Sequence, residues 1–356
     1  MYLMNTIVLP FVIAFVSGLL LFPVVRKTAI RMGIVDRPNR RKIHSVPIPR
    51  VGGIAIFVAS ILGALPFLDN EIKVIGMLAA GTFIFITGLL DDVMDLKPNI
   101  KLAGQIVAVT ILFFFNVRID FVTDFFAGEG LVALGLFAYP ITILWVVGIT
   151  NTVNLIDGVD GLAGGVVLIA LSTLLAVRMI EPQTQEPLLM KNVLIMTTSL
   201  MGSLAVFLRF NMFPAKIFMG DAGAYYLGFM IASLSIAGAA KGSILLPLVV
   251  PLIALGLPVL DVIFAIARRI INHVPIFQAD KEHLHHRLLN IGFSQKETTK
   301  FFWMVSICFG LLAILSSGLA HKGVATTVTV LLVIMASVAT RFFLKRYHAE
   351  RKSSNF

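Results

Sequence analysis

Residues 72–90 read IKVIGMLAAGTFIFITGLL, and the acidic segment DDVMD follows directly at residues 91–95. An α-helix needs roughly 20 apolar residues to cross the hydrocarbon core of a bilayer. This run has that length, and Lys73 is its single charged residue. The stretch therefore predicts a transmembrane helix that ends in a cluster of carboxylates.

Comparable apolar runs recur along the whole chain. Of the 356 residues, 58% are hydrophobic and 13% are charged, a composition far outside the range of soluble globular domains. The predicted fold class is all-α, a polytopic transmembrane helical bundle that forms one domain over residues 1–356. The single cysteine, Cys308, excludes a disulfide framework and a cysteine-ligated metal site. About eleven spans are expected from their length, centred on residues 5–25, 51–68, 72–90, 100–116, 131–150, 160–179, 190–208, 222–239, 243–265, 299–319 and 323–344.

The basic residues predict the orientation of these spans. If the N-terminus is outside, 23 of the 29 Lys and Arg residues fall in cytoplasmic segments, and this bias sets membrane topology. We therefore predict that the N-terminus is outside and the C-terminus cytoplasmic. The formal net charge of +10 then reflects orientation and anionic ligands or lipids. It gives no reason to expect nucleic acid as a partner.

Polar segments that are costly near a membrane all fall on the predicted cytoplasmic side. The DDVMD segment contributes Asp91, Asp92 and Asp95. On a helix, Asp91 and Asp95 would share one face, where a cation or a substrate proton would relieve their repulsion. The alternative is a solvated helix end. The cytoplasmic loops that we expect to carry chemistry are residues 26–50, 91–101, 150–161, 209–223 and 266–298.

Two further segments combine amide, acidic and basic side chains. NTVNLIDGVDGLAGG begins at residue 151 and repeats a polar side chain every third residue, at Asn151, Asn154, Asp157 and Asp160. NMFPAKIFMGDAG begins at residue 211 and carries Asn211, Lys216, Phe218 and Asp221. It joins a lysine suited to phosphate, an aromatic ring able to stack on a base, and an acid able to hold a divalent ion at a helix start. Helix capping by Asp157, Asp160 or Asp221 is the alternative.

Histidines and basic residues form the last two segments. ADKEHLHHR at residues 279–287 contains His283, His285, His286 and Arg287. Their spacing is poor for a closed zinc site, and neutral or cationic donors to phosphate and sugar oxygens fit better. DRPNRRKIHSVPIPRVGG begins at residue 36 and is by itself typical of a positive-inside anchor. Within it, Lys42 and His44 are candidate ligand contacts.

Together these motifs resemble the polyprenyl-phosphate N-acetylhexosamine-1-phosphate transferase superfamily. The histidine segment is more similar to the undecaprenyl-phosphate GlcNAc-1-phosphate transferases of the WecA/TagO type than to the peptidoglycan branch. The resemblance implies ten or eleven transmembrane helices, a Mg²⁺-dependent reaction in which Mn²⁺ would substitute, and a homodimer. It also implies UDP-GlcNAc as donor, undecaprenyl phosphate as acceptor, and undecaprenyl-diphospho-GlcNAc and UMP as products.

The resemblance also implies roles for residues at matching motif positions. Asn154 and Asp221 would contact the Mg²⁺ ion. Asp91 and Asp92 would orient or deprotonate the lipid phosphate, supported by Asp95. The substrate contacts would be Lys42, His44, Asn151, Asp157, Asp160, Asn211, Lys216, Phe218, His283, His285, His286 and Arg287.

The implied location is a bacterial plasma membrane, with the active site on the cytoplasmic face of the lipid bilayer. The product would begin a cell-envelope polymer, such as a teichoic acid linkage unit or an O-antigen. A phospho-N-acetylmuramoyl-pentapeptide donor is one alternative, and a secondary transporter is another. A transporter would place charges near the bilayer midplane, whereas the acids here lie at the ends of predicted spans. A CDP-alcohol phosphotransferase is disfavoured because Asp157-Gly158 lacks that family's following arginine.

Overall fold

In the part of the chain that the structure describes, the protein is built almost entirely of helices. The computed structural model describes residues 2–36, 47–123, 131–180, 186–238, 255–271 and 283–318. The α-helices are α1 Leu9–Met32, α2 Gly52–Ala64, α3 Ile72–Met94, α4 Pro98–Phe114, α5 Ala138–Ile156, α6 Leu162–Ile180, α7 Pro187–Asn211, α8 Gly220–Ala237, α9 Gly256–Ile271, α10 Leu284–Asn290 and α11 Gln295–Gly318. A π-helical turn, Met4–Val8, precedes α1, and 3₁₀ turns form at Leu65–Phe67 and Gly135–Phe137. Strand β1 Val35–Asp36 pairs antiparallel with β2 Ile48–Pro49, and β3 Phe121–Thr123 pairs antiparallel with β4 Leu131–Ala133.

Hydropathy along these helices confirms the predicted all-α membrane architecture. Six segments among the described residues are long and apolar enough to cross a bilayer: Met4–Met32, Ile72–Met94, Gly135–Ile156, Leu162–Ile180, Pro187–Asn211 and Gln295–Leu315. Gly52–Phe67 and Pro98–Phe114 are shorter apolar helices. The predicted span at residues 323–344 lies outside the described residues, as does the first half of the span predicted at 243–265.

Local signals explain where several helices begin and end. Proline occupies a first-turn position in α4 and α7, where its missing N–H costs no hydrogen bond. Gly33 ends α1 in the left-handed conformation with φ 73°, which glycine adopts without a steric penalty. Asp95 ends α3 in the same region with φ 50°. The prediction that Asp91 and Asp95 share a helical face is therefore wrong, because the helix stops at Met94.

Helix α5 differs from the prediction at both ends. The span predicted at residues 131–150 begins only at Ala138, because Leu131–Ala133 pairs with Phe121–Thr123 as a hairpin. At its other end the helix continues to Ile156. The segment predicted as a loop at 150–161 is thus helical up to that residue, and the true loop is residues 157–161.

Helix α8 lies at the centre of the bundle. Every residue from Ala222 to Ile236 is buried, and α8 packs against α2, α3 and α5. Small residues allow this close packing, as is usual between membrane helices. A β-carbon built on Gly53 would lie 2.3 Å from the backbone N of Gly223, so α2 and α8 touch backbone to backbone. The start of α8 is consequently held between neighbouring helices.

The two ends of the bundle differ in chemistry. At the end where α3 and α7 begin, cations pair one to one with acids: Lys191 with Asp69 at 2.7 Å, Arg118 with Asp120 at 2.8 Å, and Lys73 with Glu186. Lys73, Arg118 and Lys191 are three of the six Lys and Arg residues that fall outside the predicted cytoplasmic segments. The opposite end, where α3 and α7 finish and α8 begins, gathers the acidic and amide motifs. The prediction that these motifs share one side is confirmed for the described residues.

Candidate active site

The first turn of α8 is capped by a carboxylate from α3. Oδ1 of Asp92 accepts a hydrogen bond from the backbone N–H of Asp221 at 2.8 Å, and Oδ2 accepts one from the N–H of Ala222 at 3.0 Å. Free N–H groups and the helix dipole both favour a negative charge at this position. Gly220 has φ 75°, and a β-carbon there would lie 2.7 Å from Oδ2 of Asp92, so this turn requires glycine. The alternative that Asp221 is an N-cap is wrong, because Met219 holds that position.

The side chain of Asp221 is left to face α5. Its Oδ1 accepts a hydrogen bond from Nδ2 of Asn154 at 2.6 Å, and its Oδ2 lies 4.0 Å from Nη2 of Arg50. Asn154 stands on the last turn of α5 and Arg50 directly follows β2. The two residues predicted to contact a metal ion, 67 positions apart in the chain, are therefore in direct contact.

Asp91 is buried at the junction of α3, α4 and α8. It is 3% exposed, and its Oδ2 lies 2.7 Å from Nζ of Lys101. The same oxygen accepts a hydrogen bond from the hydroxyl of Tyr225 at 3.1 Å, and Oδ1 accepts one from the N–H of Leu96 at 3.0 Å. A buried carboxylate needs such partners to remain charged. The side chain of Lys101 is itself partly exposed.

The 157–161 loop is fastened to the end of α7 and to the segment between α7 and α8. Oδ1 of Asn211 accepts a hydrogen bond from the N–H of Gly161 at 2.9 Å, while its Nδ2 donates to the carbonyl of Ile217 at 2.9 Å. Oδ2 of Asp160 accepts a hydrogen bond from the N–H of Ala215 at 2.9 Å. Asn211 is buried and uses both halves of its amide, so it holds two loops together. Because Asn211 is 3% exposed, this position supports the loops and gives little access for the predicted contact with substrate.

Charges around this loop act on Asp157. Burial raises the pKa of Asp157 well above its usual range, and the neighbouring carboxylates of Asp221 and Asp92 raise it further, while Arg50 opposes them. Carboxylates from three segments are therefore close enough to repel one another. A cation among these carboxylates would relieve the repulsion.

Asn151 forms a reciprocal amide pair with Gln105 of α4. Nδ2 of Asn151 donates to Oε1 of Gln105 at 2.8 Å, and Nε2 of Gln105 donates to Oδ1 of Asn151 at 3.1 Å. Asn151 is three residues before Asn154, so the two amides lie on adjacent faces of α5. The pair fixes the rotation of α5 that presents Asn154 to Asp221.

Replacing Gln105 by leucine should destabilise the protein more than replacing both members of the pair. The single change leaves a partly buried amide without its partner, and polar contacts between membrane helices contribute about 0.6 to 1.7 kcal/mol. The double variant Gln105→Leu with Asn151→Leu removes both polar groups and should recover most of that loss. Thermal unfolding in detergent measures the difference. Equal stabilities of the single and double variants would contradict the pairing.

The predicted histidines lie on α10 and at its start. His285 is 2% exposed, its Nε2 lies 3.2 Å from the place of a β-carbon on Gly158, and its Nδ1 has no hydrogen-bond partner among the described residues. Burial lowers the pKa of His285 to about 4, and His286 and His283 lower it in the same direction. At neutral pH His285 is therefore an uncharged donor or acceptor next to the 157–161 loop.

The remaining predicted residues are less closely tied to this centre. Lys216 is exposed, and its carbonyl accepts a hydrogen bond from Nε of Arg26 at 3.1 Å. The backbone of Phe218 joins β2, since its N–H donates to the carbonyl of Pro49 at 2.8 Å. Asp95 and Arg287 are exposed. Lys42 and His44 lie outside the described residues.

Several residues of the site were not predicted. Lys101 was counted only as a topology cation, and Arg50 only as part of the basic loop, yet each lies beside a predicted acid. Tyr225 and Gln105 sit inside apolar runs and supply hydrogen bonds. Asp261 contacts His283. A single charged or amide group within an apolar span is costly, and that cost is the signal that could have found Gln105 and Asp261.

The donor atoms of the site fit Mg²⁺ better than a transition metal. Asp221, Asp92, Asp157 and Asn154 offer oxygen ligands, which hard cations prefer. No group of three His, Cys, Asp or Glu side chains among the described residues is arranged to hold a metal ion alone. Mg²⁺ commonly binds through one or two carboxylates together with substrate phosphates and water. The residues present are therefore compatible with an ion that arrives with a phosphate-bearing substrate.

Comparison with known proteins places the chain among membrane transferases. The profile described as "Glycosyl transferase family 4" matches residues 74–239. The probable undecaprenyl-phosphate N-acetylglucosaminyl 1-phosphate transferase of Bacillus subtilis (strain 168) is 36% identical, over 87% of this chain and 85% of that protein. The decaprenyl-phosphate N-acetylglucosaminephosphotransferase of Mycobacterium tuberculosis (strain H37Rv) is 32% identical, over 86% and 85%. The undecaprenyl-phosphate alpha-N-acetylglucosaminyl 1-phosphate transferase of Escherichia coli (strain K12) is 26% identical, over 81% and 77%.

Fold and site together define a multi-pass membrane enzyme that works on phosphates at one end of a helical bundle. Its acids, amides and cations converge where α3 ends and α8 begins. With 36% identity over most of both chains, the protein belongs to the polyprenyl-phosphate N-acetylhexosamine-1-phosphate transferase family. The resemblance read from the motifs is confirmed.

Proposed function

We propose that this protein transfers GlcNAc-1-phosphate from UDP-GlcNAc to undecaprenyl phosphate, with Mg²⁺ as its cofactor. The names of the relatives at 36% and 26% identity support this acceptor and this sugar. The observation that carries the proposal is the contact of Asn154 with Asp221 beside Arg50. This arrangement brings oxygen ligands for a divalent ion next to a guanidinium group that can bind phosphate, at the start of α8.

Charge neutralisation is the main task of such a site, because two anionic phosphates must approach each other. When bound, Mg²⁺ would neutralise the donor diphosphate, and Asp221 with Asn154 would hold it. Arg50 and Lys101 would supply positive charge on either side of the acidic cluster. Lys101 is partly exposed next to buried Asp91, which suits it to meet the acceptor phosphate. Asp92, through its bonds to the first N–H groups of α8, would keep Asp221 in position.

We infer direct attack of the lipid phosphate on the sugar-bearing phosphorus. An acceptor oxygen forms the new P–O bond, the bond to the bridging oxygen breaks, and UMP leaves with that oxygen. The rival is a covalent aspartyl phosphate. Asp91 and Asp92 already accept two or more hydrogen bonds or ion contacts each, and these contacts lower the nucleophilicity of their oxygens. Incubation with donor alone should leave the enzyme unphosphorylated.

Purified full-length protein should release UMP from UDP-GlcNAc only when undecaprenyl phosphate and Mg²⁺ are both present. Chelation by EDTA should stop the release, and added Mg²⁺ should restore it, with Mn²⁺ as a substitute. Competition between UDP-GlcNAc and other UDP-N-acetylhexosamines tests the donor sugar. UMP release without acceptor would point to a hydrolase instead, and EDTA-resistant release would exclude the metal role.

We place this site on the cytoplasmic face, since the basic residues favour that orientation. UDP-GlcNAc does not cross membranes unaided because it is charged. Sealed inside-out vesicles should therefore use added donor, whereas sealed right-side-out vesicles should not. The reverse pattern would overturn the orientation while leaving the reaction unchanged. We also propose that the protein forms a homodimer and that its product begins a cell-envelope polymer.

A further inference from the structure

Asp261 of α9 contacts the first residues of the histidine helix α10. Oδ1 of Asp261 accepts a hydrogen bond from the N–H of Leu284 at 2.9 Å, and Oδ2 lies 3.1 Å from Nδ1 of His283. The side chain of Asp261 is 14% exposed and that of His283 is 7% exposed. The contact is therefore largely shielded from water, where hydrogen bonds to a charged group are strongest.

Asp261 replaces a cap that α10 lacks. His283 holds the N-cap position of α10 but makes no side-chain cap hydrogen bond, and the first N–H groups of a helix need acceptors. The helix has seven residues, fewer than an isolated helix needs to be stable in water. Its position thus depends on tertiary contacts, among them the carboxylate of Asp261, which lies 22 residues before His283 in the chain.

This contact also bears on the position of the 157–161 loop. The rings of His283 and His285 are parallel within 1°, with centroids 6.0 Å apart. Nε2 of His285 is 3.2 Å from the place of a β-carbon on Gly158, the residue after Asp157. A shift of His283 would therefore move His285 against or away from the 157–161 loop.

We propose that Asp261 is a positioning residue for the nucleotide-sugar donor, acting through His283 to hold α10 against the 157–161 loop. This assignment rests on the proposed function, in which His285, His286 and Arg287 meet the donor. In this proposal Asp261 contacts α10 and does not contact the substrate. Its loss should therefore affect the donor and spare the lipid acceptor.

Three variants of the full-length enzyme test the proposal by UMP release with each substrate varied in turn. Asp261→Ala should raise the KM for UDP-GlcNAc about ten-fold or more, the usual cost of losing hydrogen bonds to a charged group. The KM for undecaprenyl phosphate should stay within about two-fold of wild type. Asp261→Asn should recover most of the donor KM, because its amide oxygen can accept from Leu284 and its N–H can donate to His283. Asp261→Ser, too short to reach His283, serves if the alanine variant does not fold.

A purely structural role would give a different result. It would reduce the fraction of active enzyme, lowering kcat with both KM values unchanged, and that result would overturn the assignment. Equal donor KM values for Asp261→Asn and Asp261→Ala would also overturn it. Asp120→Ala, which removes an acid from the opposite end of the bundle, is the matched control and should leave both KM values unchanged. A wild-type enzyme that releases no UMP would refute the proposed function and this assignment with it, whereas an active wild type with an unchanged Asp261→Ala would refute the assignment alone.

Discussion

Replacing Asp221 by alanine should lower the rate of UMP release by at least about 10³-fold while the protein stays folded. The reason for the loss is that Asp221 provides the carboxylate that faces Asn154 at 2.6 Å and Arg50 at 4.0 Å. Asp92 is a poor substitute for it, because both of its oxygens already accept hydrogen bonds from the first turn of α8.

The fold should survive because Asp92 contacts the backbone N–H of Asp221 and not its side chain. Alanine keeps that N–H and has the higher helix propensity. The unpaired amide of Asn154 should cost about 1 to 3 kcal/mol of stability at most. Turnover as a function of Mg²⁺ concentration, together with thermal unfolding in detergent, separates the two effects.

Asp69→Ala is the control for this experiment, since it also removes one ion-paired carboxylate, but at the opposite end of the bundle. It should keep wild-type turnover. Near-normal activity of Asp221→Ala would remove Asp221 from the metal role. Loss of the thermal transition along with activity would show instead that the carboxylate is needed for folding.

The span positions were predictable because hydropathy and helix length depend only on neighbouring residues. The span predicted at 72–90 is observed as the apolar helix Ile72–Met94, and the run predicted at 222–239 is observed as the helix Gly220–Ala237. Where the prediction was wrong, a partner distant in sequence decides the structure. Leu131–Ala133 was predicted to belong to a span but pairs with Phe121–Thr123 as a hairpin. Asn151 was predicted to lie in a loop but lies in α5, where its amide pairs with Gln105.

The composition of the site was predictable, but its contacts were not. The basic residues indicated that the polar motifs share one side, and the structure brings Asp92, Asn154 and Asp221 together. Periodicity could not show that Asp92 would cap α8. It also could not show that the side-chain amide of Asn211 would form hydrogen bonds with the backbones of two loops. The partner of Asp92 is set by how close α3 and α8 approach, and a glycine governs that distance.

Gly88 sets the distance between α3 and α8 at the site. A β-carbon on Gly88 would lie 2.6 Å from Cα of Ala222, 2.7 Å from its N and 2.7 Å from the carbonyl oxygen of Asp221. All three are backbone atoms, so no side chain can rotate away to make room. Asp92 is four residues after Gly88 and faces the same helix. Any separation that admits the methyl group must therefore stretch the 2.8 Å and 3.0 Å bonds by which Asp92 holds the start of α8.

Gly88→Ala should accordingly lower turnover by about 10²-fold or more, the usual effect of displacing catalytic groups by about 1 Å. It should also destabilise the protein by about 1 to 3 kcal/mol through overpacking. Gly148→Ala is the matched control, because Gly148 lies in α5 with nothing within 4 Å of its added β-carbon. There the substitution should be neutral or stabilise the helix by up to about 1 kcal/mol. Turnover and thermal unfolding of the two variants, measured side by side, test whether the contact between α3 and α8 positions Asp221. If Gly88→Ala matches Gly148→Ala in both, backbone contact between α3 and α8 is not what positions Asp221.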